Sequence, residues 1–334
     1  MATILITNSV PTDPILRQIP NQTAGWCEHR FLLEPNGDPI DAWVVYDNLL
    51  KPETHALERS RTLLVTGEPP SVRRYRSVFT SQFGAIRTSH PSVEHPRVVR
   101  AHEAQPWHFG MHPCRSHPRV LDYDALVSML PPGKPKLLSV ISSNKAITED
   151  HRQRLRFLEH LKSAFGDQID VFGRGIRDVP DKADAIWNYR YHIVLENDHS
   201  PFYMSEKLPD SFLGWSFPFY SGGPYADGAF PAESFARIDM YDPLRSIATI
   251  RAKMERDSYA MDLDRIARAR RIVLDELNLF AVLGKAYETL ELRRTNTAKS
   301  NRDAKNTART TLLPKKKSIQ LSMQRIMRAM SIAA

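Results

Sequence analysis

From residue 191 to residue 208 the chain reads Tyr-His-Ile-Val-Leu-Glu-Asn-Asp-His-Ser-Pro-Phe-Tyr-Met-Ser-Glu-Lys-Leu: an aliphatic run, a polar loop and a helix start. Glu196, Asn197, Tyr203, Glu206 and Lys207 are thereby gathered at one strand end. Ser205 reads as the helix N-cap, which would aim free backbone N–H groups and the positive helix end outward, a place that suits phosphate. A lysine at a helix start opposes the local dipole unless an anion sits there, so Lys207 reads as a diphosphate partner, with a solvated helix lysine as the competing reading.

The elements that would hold these residues follow from apolar patterning. Strands are expected at Thr3 to Thr7, Ala42 to Tyr46, Thr62 to Thr66 and Ala85 to Thr88, each short, β-branched or aliphatic, and ended by turn-forming or polar residues. Pro131, Pro132, Gly133 and Pro135 cannot continue a helix or a central strand and mark a domain boundary. A second alternating series follows: strands at Lys136 to Ser142, Ile169 to Phe172, Tyr191 to Leu195, Ser216 to Tyr220 and Arg237 to Met240, with helices over Arg152 to Phe165 and from Glu206. Strands alternating with helices indicate an α/β class built on parallel sheets. Ligands of such sheets sit beyond the carboxyl ends of the strands, so Asn144, the loop Gly173 to Arg177 and the segment Glu196 to Lys207 should share one crevice. The expected units are 1–132, 133–292 with trailing helices, and 293–334 as a basic linker and amphipathic helix. Residues 295–311, polar and basic, read as a mobile linker.

Glu196-Asn197, Tyr203 six places after the asparagine, and Ser205-Glu206-Lys207-Leu208 together resemble the signature of the α1,3/α1,4-fucosyltransferases, glycosyltransferase family 10, bacterial type. That family has a strand ending Phe-Glu-Asn, five variable residues, and Tyr-Val-Thr-Glu-Lys-Leu. Ile169-Asp-Val-Phe-Gly-Arg-Gly175, Pro218 with Gly223-Pro224, and Glu233-Ser-Phe235 with Ile238-Asp239 are similar to its flanking segments. Leu195 stands for the usual Phe, Asp198 for a small hydroxyl residue, Met204-Ser205 for Val-Thr, and Pro209 lies in the first helical turn, where a missing N–H costs little. The resemblance implies a GT-B-like fold, two Rossmann-like domains facing across a cleft, with GDP-fucose on the second. It implies that Lys207 and either Arg174 or Arg177 neutralise the diphosphate, that Asn197 and Tyr203 bond phosphate or sugar oxygens, and that Glu206 accepts from ribose or fucose hydroxyls. Cations fixed near a leaving diphosphate act on the transition state, so no metal is required.

An inverting transfer also needs a base opposite the departing diphosphate. Leu63 to Pro70 places Glu68 just past a strand's carboxyl end. Bacterial members of the family have a similar strand followed by Gly-Glu-Asn whose glutamate is the proposed base, so Glu68 is the catalytic candidate, with a solvated turn glutamate as the alternative. His102, His108, His112, Cys114 and His117 crowd one stretch, but their spacing matches no finger and Pro106, Pro113 and Pro118 break any helix, so no metal is assigned. An acceptor loop with Trp107 stacked on a sugar face is the better functional reading, an ordinary loop the plainer one.

The 334 residues carry 46 basic and 38 acidic side chains, of which residues 293–334 hold 11 and one, leaving 35 against 37 in the preceding 292. The positive balance therefore belongs to the tail and gives the body no nucleic-acid character, and no nucleic-acid partner is expected. Two cysteines fit a reducing compartment. The uncharged stretch Ser211 to Ala226 is too short and too broken by Pro and Gly to span a bilayer. Lys315 to Lys317 followed by Ile319, Met323, Ile326, Met327 and Met330 at helical spacing reads as an amphipathic segment for peripheral contact with an anionic membrane. The chain is thus expected to be a cytoplasmic inverting fucosyltransferase, peripheral on the inner face of the membrane. It would move L-fucose from GDP-fucose to a glycan hydroxyl, of a bacterial surface polysaccharide in α1,3-type linkage, with no required cofactor and a divalent cation at most stimulatory. The alternatives are another GDP-6-deoxysugar on the same scaffold, or a non-catalytic glycan- or nucleic-acid-binding protein. On the transferase reading, deleting residues 293–334 should spare turnover on a soluble acceptor.

Overall fold

A computed structural model describes residues 1–8, 15–146, 148–256, 259–290 and 308–315. The first lobe is built on strands β1 (Ala2–Asn8), β2 (Gly25–Trp26), β3 (His29–Leu32), β4 (Ala42–Tyr46), β6 (Thr62–Val65), β7 (Ala85–Thr88) and β8 (Val98–Arg100), with β5 (Glu53–His55) outside the sheet. They lie in the order β2-β3-β1-β4-β6-β7-β8, parallel except for β2. β4 and β6 are buried along their whole length, as strands covered on both faces must be, which is why they read as unbroken apolar runs.

The second lobe has β9 (Lys136–Ile141), β10 (Ile169–Phe172), β11 (Tyr189–Leu195), β12 (Phe217–Ser221) and β13 (Ala236–Arg237), all parallel, in the order β10-β9-β11-β12-β13. Strand order reverses between β9 and β11, the switch point beyond whose carboxyl ends sheets of this kind bind ligands. The helix Glu149–Phe165 covers this sheet with Phe157, Leu158, Leu161 and Phe165, and Ile266, Ala269 and Val273 of the helix Tyr259–Asp275 join the same core. These are two sheet domains with flanking helices, the GT-B-like arrangement that the resemblance implies.

Three segments depart from the sequence reading. Trp107, Phe109 and Leu121, ahead of the proline cluster, pack into the second lobe's core. Their stretch has no regular structure, and buried aspartates satisfy its backbone: Asp210 accepts from His108 N and Phe109 N, both at 3.0 Å, and Asp181 from Gly110 N at 2.8 Å and His112 N at 2.9 Å. The last trailing helix, Leu279–Thr289, instead covers the first sheet, with Leu279, Phe280 and Leu283 against Ile4, Phe31 and Val44. Finally, β14 (Thr310–Leu312) pairs antiparallel with β5, and Leu312 is fully buried in the first lobe, where a linker had been expected. The amphipathic segment beyond Lys315 lies outside the described residues. Among the described residues no helix is long and apolar enough to cross a membrane.

Candidate active site

The end of β11 turns on a carboxylate. Glu196 is fully buried, and the chain folds back so that Ser205 N donates to it at 2.9 Å, the Ser205 hydroxyl faces both its oxygens at 2.8 and 2.7 Å, and Lys207 Nζ donates at 3.1 Å. Lys207 Nζ also meets Ser205 Oγ at 2.9 Å. A buried carboxylate is tolerated only with such saturation, so Glu196 serves as the anchor that aims Lys207. The helix itself runs Lys207–Leu213 with Glu206 at the N-cap, one residue later than expected; Ser205 Oγ still accepts from Lys207 N at 3.3 Å. Seven residues make a weak dipole, so the positive charge here comes from the lysine more than from the helix end.

Arg154 joins the two sides of the switch point. It donates to Ser143 O and Ser143 Oγ, both at 3.3 Å, after β9, and to Asn197 Oδ1 after β11. It was not among the residues singled out from sequence. The signal was present: Phe157, Leu158, Leu161 and Phe165 set the helix's inward stripe, and Arg154 lies three, four, seven and eleven places before them on the same stripe, whereas Arg152 and Arg156 pair outside with Glu149. Cations from three elements converge nearby. Burial together with Arg154, Lys145 and Lys207 holds His151 down at about 4, so its ring is neutral and leaves the anion-attracting charge to them.

The loop after β10 is brought against the end of β9. Asn144 N donates to Arg174 O at 3.1 Å, and a Cβ at Gly173, where φ is +127°, would lie 2.0 Å from Ser142 O. Asn144 and residues 173–175 are therefore in contact, and the close approach demands glycine. Arg177 turns back, donating to Asp170 at 2.9 Å and stacking 3.7 Å from the Phe172 ring centre. Arg174 is exposed and, among the described residues, has no side-chain partner.

Glu206 is not open to a ligand on every side. Lys182 Nζ bonds it at 2.6 Å and Asp210 at 2.7 Å, and His108 Nδ1 stands 3.6 Å away. Burial alone would raise Glu206, but Lys182, Lys207 and His108 overcome it and keep the carboxyl well below its usual range.

From the first lobe, Glu68 follows β6. Three side chains fix its backbone and that of Gly67: Tyr75 OH accepts from Gly67 N at 3.0 Å, Gln105 Nε2 donates to Gly67 O at 3.1 Å, and His90 Nε2 bonds Glu68 O at 2.7 Å. Its own carboxylate accepts no hydrogen bond among the described residues. Burial pushes that carboxyl up; Arg73 and Lys207 act against the rise, Asp47 and Glu206 with it. Glu68 thus lies in the field of second-lobe residues. Tyr203, also buried, marks the same junction: burial and the carboxylates Glu196, Glu206, Glu103 and Glu68, two from each lobe, push its phenol far up.

The crowded histidine stretch disperses. His102 is buried against the Tyr225 ring at 5.1 Å, His108 faces Glu206, His112 is exposed, and His117 packs 4.5 Å from Trp187. No group of three metal-ligating side chains occurs among the described residues. Trp107 is 1 % exposed and cannot stack on a sugar; its apolar ring is taken by the second-lobe core.

Residues 131–262 match the family model described as glycosyltransferase family 10 (fucosyltransferase) C-term. Among solved structures, an α1,3-fucosyltransferase is similar at 15% identity and a TM-score of 0.50, over 87% of this chain and 89% of that one. A structure of an α1,3-fucosyltransferase with GDP gives 15% identity and 0.50 over 87% of this chain and 91% of that one, and one with GDP-fucose 14% and 0.49 over 90% and 94%. At these identities the likeness is one of fold.

Proposed function

We propose that this chain, a two-lobed glycosyltransferase that belongs to family 10 through residues 131–262, transfers L-fucose from GDP-fucose to a glycan hydroxyl with inversion at C1. The observation that carries the reading is the placement of Glu68, a partly buried carboxylate that accepts no hydrogen bond among the described residues, three residues before Ser71, whose N donates at 2.9 Å to Asp198 in the loop that leads from β11 to Lys207. In that arrangement the acceptor oxygen bonds to C1 as the bond from C1 to the diphosphate oxygen breaks. Glu68 takes the acceptor's proton, and Lys207 meets the charge gathering on the diphosphate, with Arg154 and Asn197 setting the strand ends that hold it. Arg174 is the second phosphate cation, because it is exposed with no side-chain partner among the described residues and its backbone is held against Asn144, whereas Arg177 turns back onto Asp170 and Phe172. Asn144 borders the same phosphate site, and Tyr203 and Glu206 line its sugar side. An N-acetylglucosamine or glucose unit of a bacterial surface polysaccharide, in α1,3-type linkage, is the acceptor, with the basic tail holding the enzyme on an anionic membrane.

Thermal shift against nucleotides tests the donor, and GDP release in the presence of glycans tests the reaction. GDP and GDP-fucose at 100-fold over Kd should stabilise by about 2.7 kcal/mol. Stabilisation by uridine nucleotides alone would overturn the donor assignment. GDP binding with no transfer to any glycan would favour a non-catalytic binding protein.

A further inference from the structure

Asp198, in the polar loop after β11, is 5 % exposed and sits at the junction of the lobes. Its Oδ2 accepts from Ser71 N of the first lobe at 2.9 Å, and its Oδ1 from Ser200 N at 2.7 Å. Ser71 Oγ adds a longer contact, 3.4 Å, to Asn197 O. Burial would raise the carboxyl, yet the bonds from Ser200 and Ser71 hold it below its usual range, so it is charged when it grips them. A serine or threonine, the residue type the family resemblance places here, offers one short-reaching oxygen and could not bridge both amides.

Ser71 is joined to Glu68 by Pro69 and Pro70. Proline fixes its own φ and restricts the residue before it, so two in succession pass a displacement of Ser71 on to Glu68 with little slack. Val72 N and Arg73 N both bond Pro69 O at 3.0 Å and close the turn. Upstream, Tyr75, Gln105 and His90 hold Gly67 and Glu68 from within the first lobe. Glu68 is therefore held at both ends, by its own lobe before it and by the other lobe after it.

We infer that Asp198 is a positioning residue: by gripping Ser71 N it sets the place of Glu68 against the donor-binding end of β11. The inference rests on the proposed transfer for its kinetic consequence, while the clasp itself can be read without any turnover. In the full-length protein, Asp198→Ala should speed hydrogen exchange across residues 66–71 by about tenfold or more, as the loss of a charge-assisted hydrogen bond allows. The kcat should fall by about tenfold to a hundredfold, as a misplaced base costs, while the KM for GDP-fucose stays within about twofold. The acid limb of the pH profile should also move down. A loosened loop lets water reach Glu68, and Arg73 and Lys207 then outweigh Asp47 and Glu206, with Tyr46, Tyr203 and His90 the other titratable neighbours. Asp198→Asn, which keeps one acceptor oxygen but neither the charge nor the second acceptor, should fall between the alanine variant and the parent in exchange and in kcat, and it serves as the test variant if the alanine protein does not fold.

Unchanged exchange at residues 66–71 would overturn the clasp. Faster exchange with kcat and pH limb unmoved would reduce Asp198 to a structural contact. A fall in GDP affinity matching the fall in kcat would place its effect in the donor pocket and overturn the inference as well. A wild-type protein that transfers no fucose would defeat the proposed function alone, since the exchange of residues 66–71 still decides whether the clasp exists.

Discussion

Glu68 and Glu196 are both glutamates at the carboxyl end of a parallel strand, and their surroundings give them opposite work. Glu196 is fully buried and its two oxygens are taken by Ser205 and Lys207, so it works inside the protein. Glu68 is partly buried, is raised by that burial, and accepts no hydrogen bond among the described residues, so its basicity is available to a substrate hydroxyl. Glu68→Gln should therefore lower kcat by about 10²–10⁴ while leaving GDP affinity within about twofold, measured by initial rates and calorimetry. The sign of the pH dependence follows. A base acts when deprotonated, so kcat/KM should climb with pH through a limb above the ordinary carboxylate range, and that limb should vanish in the Gln variant. Loss of GDP binding in Glu68→Gln would put Glu68 in the donor site instead. The spacing of Glu196, Tyr203 and Lys207 was readable because it is a local chemical pattern. That Glu196 anchors Lys207, and that Asn197 is gripped by Arg154, was hidden, because both depend on where the chain folds back.

Strands whose own residues supply the apolar face, such as Ala42–Tyr46 and Ala85–Thr88, stood out in the sequence with their observed ends. Those missed owe their existence to a partner. His29-Arg-Phe-Leu32 is recruited beside β1, Val98–Arg100 is a three-residue edge beside β7, and β5 and β14 are strands only by virtue of each other. A composition-based reading of residues 295–311 as linker could not see that Leu312 fills a first-lobe site, that Thr310 Oγ1 bonds Leu57 O at 2.6 Å, or that Leu313 N bonds Gln82 Oε1 at 2.8 Å. Lys315 completes the strap, with its N on Asn48 Oδ1 at 2.7 Å and its Nζ 4.3 Å from the ring centre of Tyr75, the residue that also holds Gly67. The expectation that all of 293–334 is dispensable therefore changes. Truncation after Lys315 should leave folding and turnover on a soluble acceptor intact, whereas ending the chain at residue 307 should destabilise the first lobe and lower turnover. Leu312→Ala should cost about 2–4 kcal/mol in chemical denaturation. Equal stability of the two truncations would show that the strap is not part of the first lobe.

At the scale of the molecule, the two lobes meet over buried ionisable groups, and these tie stability to pH. Glu103 is fully buried beneath the junction, and burial raises its carboxyl to about 8 although Ser89 N, at 3.1 Å, and Thr66 Oγ1, at 3.3 Å, donate to one oxygen. The folded protein therefore carries Glu103 protonated at neutral pH, while the unfolded chain releases that proton near 4.5. Between those values the native state binds more protons than the unfolded state, so this carboxyl's contribution is full below about 4.5, declines as pH rises, and is gone above about 8. His151 and His192, held at about 4 and about 3 mainly by burial, and Lys134, lowered by burial, slope the other way, since each must take up a proton on unfolding as pH falls. The total profile thus mixes opposing slopes, and only a difference isolates Glu103. Glu103→Gln keeps the shape of the protonated acid and cannot ionise. Its Tm relative to the parent should rise steadily from pH 5 to pH 8, by an amount on the order of a few kcal/mol of stability, and then level off. Two parallel Tm curves across that range would mean that Glu103 binds the same number of protons folded and unfolded, and so is charged in the folded protein.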